Sequence, residues 1–349
     1  MVRHGYTNCT TCHVSPAGGG LLTDYGRSLS AGLLSSWGST HEAGPLHGLI
    51  LTPNEEQELS EEVKHWFGLG GDVRAVQVHT ENEFEKRGRF IRMQANLDLG
   101  YRYRALTAVA SIGKFERDES WHPWARSFYG LYQISDEISV RAGRYLPAFG
   151  LAIADHISPT RGALGFGISS ERDSAEWHYI GEFWNGALGA AVGPREGGAE
   201  TERSVYAQVQ RAIGESVKVG TSVWHGEADT FNRQILGVHA AIGFSKKLYL
   251  LTELDGQRFK PTNADSRHGL FSYAKLGYEA LKGFHIFGLF DHARADTNNE
   301  KTLIRHWGGG LQWFPRPHFE FSGTWTRELK RAISDEEGDY AWLLLHYYI

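Results

Sequence analysis

The sequence predicts an all-β transmembrane fold, an antiparallel outer-membrane barrel of about 16 strands behind a small helical N-terminal segment. Three observations predict it: period-two alternation recurs along the chain, connections alternate between short and long, and the last strand is aromatic to its end. Apolar runs such as Trp342–Leu345 break off after a few positions. A membrane-spanning helix, which needs roughly eighteen apolar residues, is therefore excluded, whereas crossing by strands is not.

The alternation is clearest from Phe90 to Arg102. One face reads Phe90, Arg92, Gln94, Asn96, Asp98, Gly100 and Arg102, and the other reads Ile91, Met93, Ala95, Leu97, Leu99 and Tyr101. The same pattern sets Ser204, Tyr206, Gln208 and Gln210 against Val205, Ala207 and Val209, and sets His318, Glu320, Ser322 and Thr324 against Phe319, Phe321, Gly323 and Trp325. So many polar positions are prohibitive in a dry core but acceptable in a barrel with a wet lumen. A soluble β-sandwich is the alternative.

On this template strands fall near 70–80, 89–102, 104–115, 125–134, 137–145, 171–181, 185–193, 201–213, 216–226, 231–243, 247–257, 267–279, 283–293, 303–314, 317–328 and 339–349. Tight turns are expected at Ser135-Asp136, Asn185-Gly186, Gly214-Glu215, Lys246-Lys247, Lys282-Gly283 and Pro315–Pro317. Longer polar loops fall between them, at Glu116–Trp124, Pro194–Thr201, Asp255–Ser266, Arg294–Glu300 and Lys330–Glu337. Short turns at one end and long loops at the other mark periplasmic and extracellular sides. The longest connection, Leu146 to Ser170, holds His156 and Arg161; it reads either as a constriction folded into the lumen or as a surface flap. The ending Tyr340-Ala-Trp-Leu-Leu-Leu-His-Tyr-Tyr-Ile349 suits a membrane interface.

Composition fits this plan. The 349 residues carry a net charge of −5 with Lys and Arg scattered singly, so there is no nucleic-acid footprint. Lumenal charges expected from the alternation are Arg92, Asp98, Arg102, Arg141, Glu176 and Lys275.

Residues 1–69 differ in character from the barrel at 70–349. The only two cysteines form Cys9-Thr10-Thr11-Cys12-His13, the spacing at which two thioethers and an adjacent imidazole hold one covalent haem c. Idle cysteines or a local disulfide are the alternative. Thr23 is expected to cap a helix to about Ser36, with Tyr25, Leu29, Leu33 and Trp37 near one face. A second helix is marked by the capping box Thr52–Glu55, Pro53, and the stripe Leu59, Val63 and Phe67. So small a segment has little core of its own, which predicts a haem at the periplasmic mouth or inside the barrel. A free-standing cytochrome tethered by residues 41–52 is the competing picture. His13 is the expected proximal ligand. For the distal position the candidates are His47, favoured for its apolar neighbours, then His41, His4 and His65, with His178, His239 and His306 if the haem enters the barrel.

Cys9, Cys12, His13, Pro16 and Leu22-Thr-Asp-Tyr-Gly-Arg27, followed by a barrel of about 16 strands, resemble the fused monohaem cytochrome–porins of the bacterial outer membrane, among them the iron-oxidising cytochromes. The likeness of plan covers the whole chain. It implies electron transfer across the outer membrane, between an extracellular donor or acceptor and a periplasmic c-type cytochrome. Ferrous iron, a mineral or an extracellular cytochrome would be the outer partner. The resemblance also leaves room for a passive porin with a haem-bearing plug, or for a subunit of a larger porin–cytochrome complex.

Overall fold

Among the described residues, sixteen antiparallel strands pair in sequence order and close into a barrel when the last meets the first. The computed structural model describes residues 1–38, 65–115, 124–153, 158–167, 170–194, 200–331 and 336–349. The strands are β1 (His65–Asn82), β2 (Lys86–Tyr103), β3 (Leu106–Phe115), β4 (Trp124–Gln133), β5 (Ile138–Tyr145), β6 (Arg172–Ile180), β7 (Trp184–Pro194), β8 (Thr201–Ile213), β9 (Val217–Glu227), β10 (Phe231–Gly243), β11 (Leu248–Pro261), β12 (Arg267–Leu281), β13 (Phe284–Arg294), β14 (Leu303–Trp313), β15 (Phe319–Lys330) and β16 (Glu336–Tyr348). No described helix is long and apolar enough to cross a membrane. Closure removes every sheet edge, which lets backbone cross lipid without orphaned polar groups.

Alternation sorts the two faces. Along β8, Val205 and Val209 lie open on the outside while Ser204 and Tyr206 are buried inside. Along β12, Leu270, Leu276 and Tyr278 face out and Phe271, Tyr273 and Glu279 face in. Leu97, Leu188, Val223, Leu236, Leu254, Ile286 and Leu343 extend the outer apolar surface around the barrel, as contact with hydrocarbon requires.

Four expectations are corrected. Met93 is the extra residue of a bulge, because Arg74 pairs with Gln94 but Ala75 pairs with Arg92. Opposed residues share a face, and the side chains of Asp72 and Gln94 bond at 2.5 Å on the lumen side; beyond the bulge the parity inverts, and Arg92 turns outward with Ala75. Asn185 and Gly186 lie inside β7 and not in a turn; the chain reverses at 181–183. Residues Asp255–Pro261 continue β11 instead of opening a loop, and Phe67 belongs to β1 instead of a helix. The remainder of that expected helix, with the Thr52–Glu55 box, lies outside the described residues.

The N-terminal segment enters the barrel at the end of the short turns. Its helix α1 (Asp24–Leu29) begins at Thr23 as expected, then passes into a wider π-helical turn, Ser30–Leu34. The buried face is not the one the apolar spacing indicated: Tyr25 and Trp37 are exposed, and Arg27, Ser30 and Ala31 are buried. Polar contacts with the barrel decide the orientation. Arg27 donates to the Leu69 carbonyl at 2.7 Å, Ser30 bonds the Tyr348 hydroxyl at 2.7 Å, and the Ser36 and Trp37 amides donate to the Phe314 and Pro315 carbonyls.

At the other end, the connection after β5 folds inward. Its helix α2 (Pro159–Leu164) starts at Ser158, whose hydroxyl accepts from the Arg161 amide. Phe149, Leu164 and Phe166 form one buried cluster with Tyr206, Trp224, Ile235 and Phe271 from the wall.

Candidate functional site

The C-x-x-C-H stretch is a single 3-10 turn, Cys9–Thr11. The amides of Cys12 and His13 both donate to the Cys9 carbonyl, at 3.1 and 2.9 Å, so two free half-buried thiols and an imidazole share one compact unit. Thr23 ties this turn to α1: its hydroxyl donates to the Thr11 carbonyl at 3.0 Å and accepts from the Gly26 amide, and its own amide donates to Cys12. Gly26 then passes so near that an added Cβ would lie 2.3 Å from the Cys12 carbonyl oxygen. The run Gly18-Gly19-Gly20 takes left-handed φ values of 84°, 74° and 61°, a path that side chains resist.

Burial governs the chemistry of the turn. Desolvation lowers the His13 pKa, with the backbones of Gly19 and Gly20 acting the other way. Its Nδ1 is buried without a hydrogen-bond partner. Burial raises the Cys12 thiol.

Wall residues pin the turn inside the mouth. Lys218 donates to the Thr7 carbonyl at 2.8 Å, Asn185 to the Asn8 side chain at 2.6 Å, and Arg141 to the Ser15 hydroxyl at 2.8 Å. Arg3 meets Glu279 and the Lys246 carbonyl. A small cavity of about 30 Å³ lies between Cys9, Pro16 and Ala17 and the wall residues His178, Gln210 and Lys218.

Above the cavity, Glu176 gathers four donors: Arg141 at 2.5 Å, His178 at 2.8 Å, Tyr206 at 2.6 Å and the Ala148 amide at 2.9 Å. Arg141 also sits 3.7 Å from the Tyr145 ring centre. Higher still, Glu202 accepts from Arg172, Arg233 and the Trp224 indole, all buried. Such buried, paired ions fix geometry more than they add stability.

Of the expected site residues, the structure brings Cys9, Cys12 and His13 together and places Arg141, Glu176 and Arg161 in the lumen. Asp98 is buried inside β2 beside Ser111, and Lys275 lies over the Phe287 ring. Arg102 lies over Trp66 at the short-turn rim. Arg92 leaves the lumen at the bulge. Among the distal candidates, His178 lines the cavity with Cys9, and His239 contacts Gln210, another cavity residue. His306 is bound to Glu328 instead. His4 lies on the opening turn beside Arg3, His65 starts β1, and His41, His47 and His156 fall outside the described residues. Sequence reasoning missed Ser15, Lys218 and the pair Glu253 and Asp255. Both members of the pair fall in the strand expected at 247–257, where Glu253, Asp255 and Gln257 alternate with Leu254 and Gly256, a signal that could have marked them as lumenal.

Neither a protein-family model nor a curated protein matches the chain. Solved structures do. A loop-deletion form of OmpT, an outer membrane protein of Vibrio cholerae, superposes with TM-score 0.66 at 9% identity, covering 82% of this chain and 99% of that one. An anion-selective porin from Comamonas acidovorans gives 0.66 at 11% identity, covering 82% and 100%. The outer membrane channel DcaP of Acinetobacter baumannii gives 0.61 at 10%, covering 82% and 97%. The fold is thus that of bacterial outer-membrane porins, and the outer apolar surface fits residence in that membrane.

Proposed function

We propose that this porin-like barrel carries one covalent haem c in its short-turn mouth and passes electrons between an extracellular partner and a periplasmic c-type cytochrome. The observation that carries the reading is the C-x-x-C-H turn itself, held in the mouth by Lys218, Asn185 and Arg141. The donor set suits the group, with two free thiols and an imidazole on one short turn. Each thiol of Cys9 and Cys12 would add across a vinyl group, sulfur to carbon and hydrogen to its neighbour, so nothing leaves. His13 would present a neutral imidazole to the iron, since burial favours that form. When bound, the haem supplies one-electron exchange.

The chain's own residues hold and insulate. Glu176 and Arg141 set a fixed charge pattern beside the cavity. The inward-folded Phe149 and Phe166 stack at 4.4 Å and exclude water above it. Ferrous iron, a mineral or an extracellular cytochrome would serve as outer partner.

The porin likeness favours a second reading, a channel in which the segment is a plug. Expression with the thioether-forming machinery separates the two. The proposal expects a Soret band, a mass gain of one haem, and loss of both in Cys9→Ala/Cys12→Ala. A colourless barrel that conducts ions equally well without the segment would overturn it.

A further inference from the structure

We propose that the lumen holds a divalent cation between Glu253 and Asp255 of β11, beneath the inward-folded loop. The two carboxylates point inward from alternate positions and are 2% and 0% exposed. Glu253 Oε2 accepts from the Leu151 amide at 2.8 Å, but Glu253 Oε1 and both oxygens of Asp255 have no hydrogen-bond donor. Buried polar atoms are normally partnered, and an unpaired buried charge is costly. Three convergent acceptors without a donor therefore describe a site for something positive.

The surroundings offer a single cation, Arg161, for two carboxylates. Arg161 lies 3.5 Å from Glu253 Oε2 while donating to the Phe149 carbonyl at 3.1 and 3.2 Å. The Arg161 charge also reaches Asp255, but it is one cation facing two buried carboxylates. A shared proton would link one oxygen of each carboxylate and leave an Asp255 oxygen unfilled; a cation serves all three at once.

Glycine backbones make the room. A Cβ on Gly150 would lie 1.8 Å from Glu253 Oε1, and one on Gly237 would lie 2.1 Å from Asp255 Oδ1. Gly150 has φ 59°, and its amide donates to the Ser222 hydroxyl at 3.0 Å, which fixes the loop over the pair. No cluster of three or more Asp, Glu, His or Cys stands ready for a metal among the described residues, so a cation here would need neutral oxygens or water beside the two carboxylates. Two carboxylates with neutral oxygens suit the Mg²⁺, Ca²⁺ and Mn²⁺ class rather than thiolate-seeking ions.

The test uses the full chain in detergent and Mn²⁺ as probe, followed by the loss of its free paramagnetic signal. The site predicts one equivalent bound, affinity weakened about tenfold or more by Asp255→Asn, and no change in Asp173→Asn, whose carboxylate is exposed. Addition of Mn²⁺ to the chelator-treated wild type should also raise its melting temperature, a readout that survives if the variant fails to assemble. Absence of stoichiometric binding, equal binding by Asp255→Asn, or an unmoved melting temperature would overturn the proposal in favour of a shared proton. None of these readouts depends on haem attachment.

Discussion

At the scale of single residues, the mouth depends on a few buried polar atoms. Arg141 is enclosed by Glu176, Ser15 and two tyrosine rings. Truncating it leaves the Glu176 charge short of its main partner, so Arg141→Ala should cost about 3–5 kcal/mol, read as a lower urea midpoint in detergent. His13 sets a pH dependence of definite sign. Its folded pKa lies below the free value, so the unfolded chain binds the proton more readily and stability falls as pH drops through about 6.5. In the haem-free protein, proteolysis of the segment should accelerate below that pH, and His13→Gln should flatten the profile. The proximal half of the site was legible because C-x-x-C-H is local chemistry. The lumen contacts of the segment were not, since Ser15 meets Arg141 across 126 positions of sequence and no spacing rule announces such a pair.

At the scale of elements, strand alternation was readable wherever the pleat is regular. It failed at Met93, where one inserted residue turns every side chain before it to the other face, and at Asp255–Pro261, where Gly256 and Pro261 mimic a loop. Cysteine accessibility checks the bulge: Arg92→Cys should react with a reagent excluded from the lumen, and Asp98→Cys should not. The orientation of α1 escaped prediction for a different reason, because its burial is set by hydrogen bonds to Leu69 and Tyr348 rather than by apolar spacing. Inside the barrel, α2 packs through Leu164, which is fully buried. Leu164→Ala should therefore cost about 2–5 kcal/mol, seen as a lower temperature for the heat-induced shift of the folded barrel on gels.

At the scale of the whole molecule, the lumen is filled from both ends, by residues 1–38 below and by the inward-folded loop above. Removing residues 1–38 should leave a barrel that still inserts, because the strand ladder does not include them, and should raise single-channel conductance in planar bilayers. Unchanged conductance would mean that the upper loop alone sets the resistance. The wall itself is uneven. At about 3.4 Å per residue, the hairpin of β1 and β2, with 18 residues in each strand, runs about 60 Å, whereas β5, with 8 residues, runs about 27 Å. The outer rim is a parapet on one flank and a low sill on the other. Whatever docks from the long-loop side therefore meets a wall of unequal strand lengths, with its longest hairpin at β1 and β2 and its shortest strand at β5.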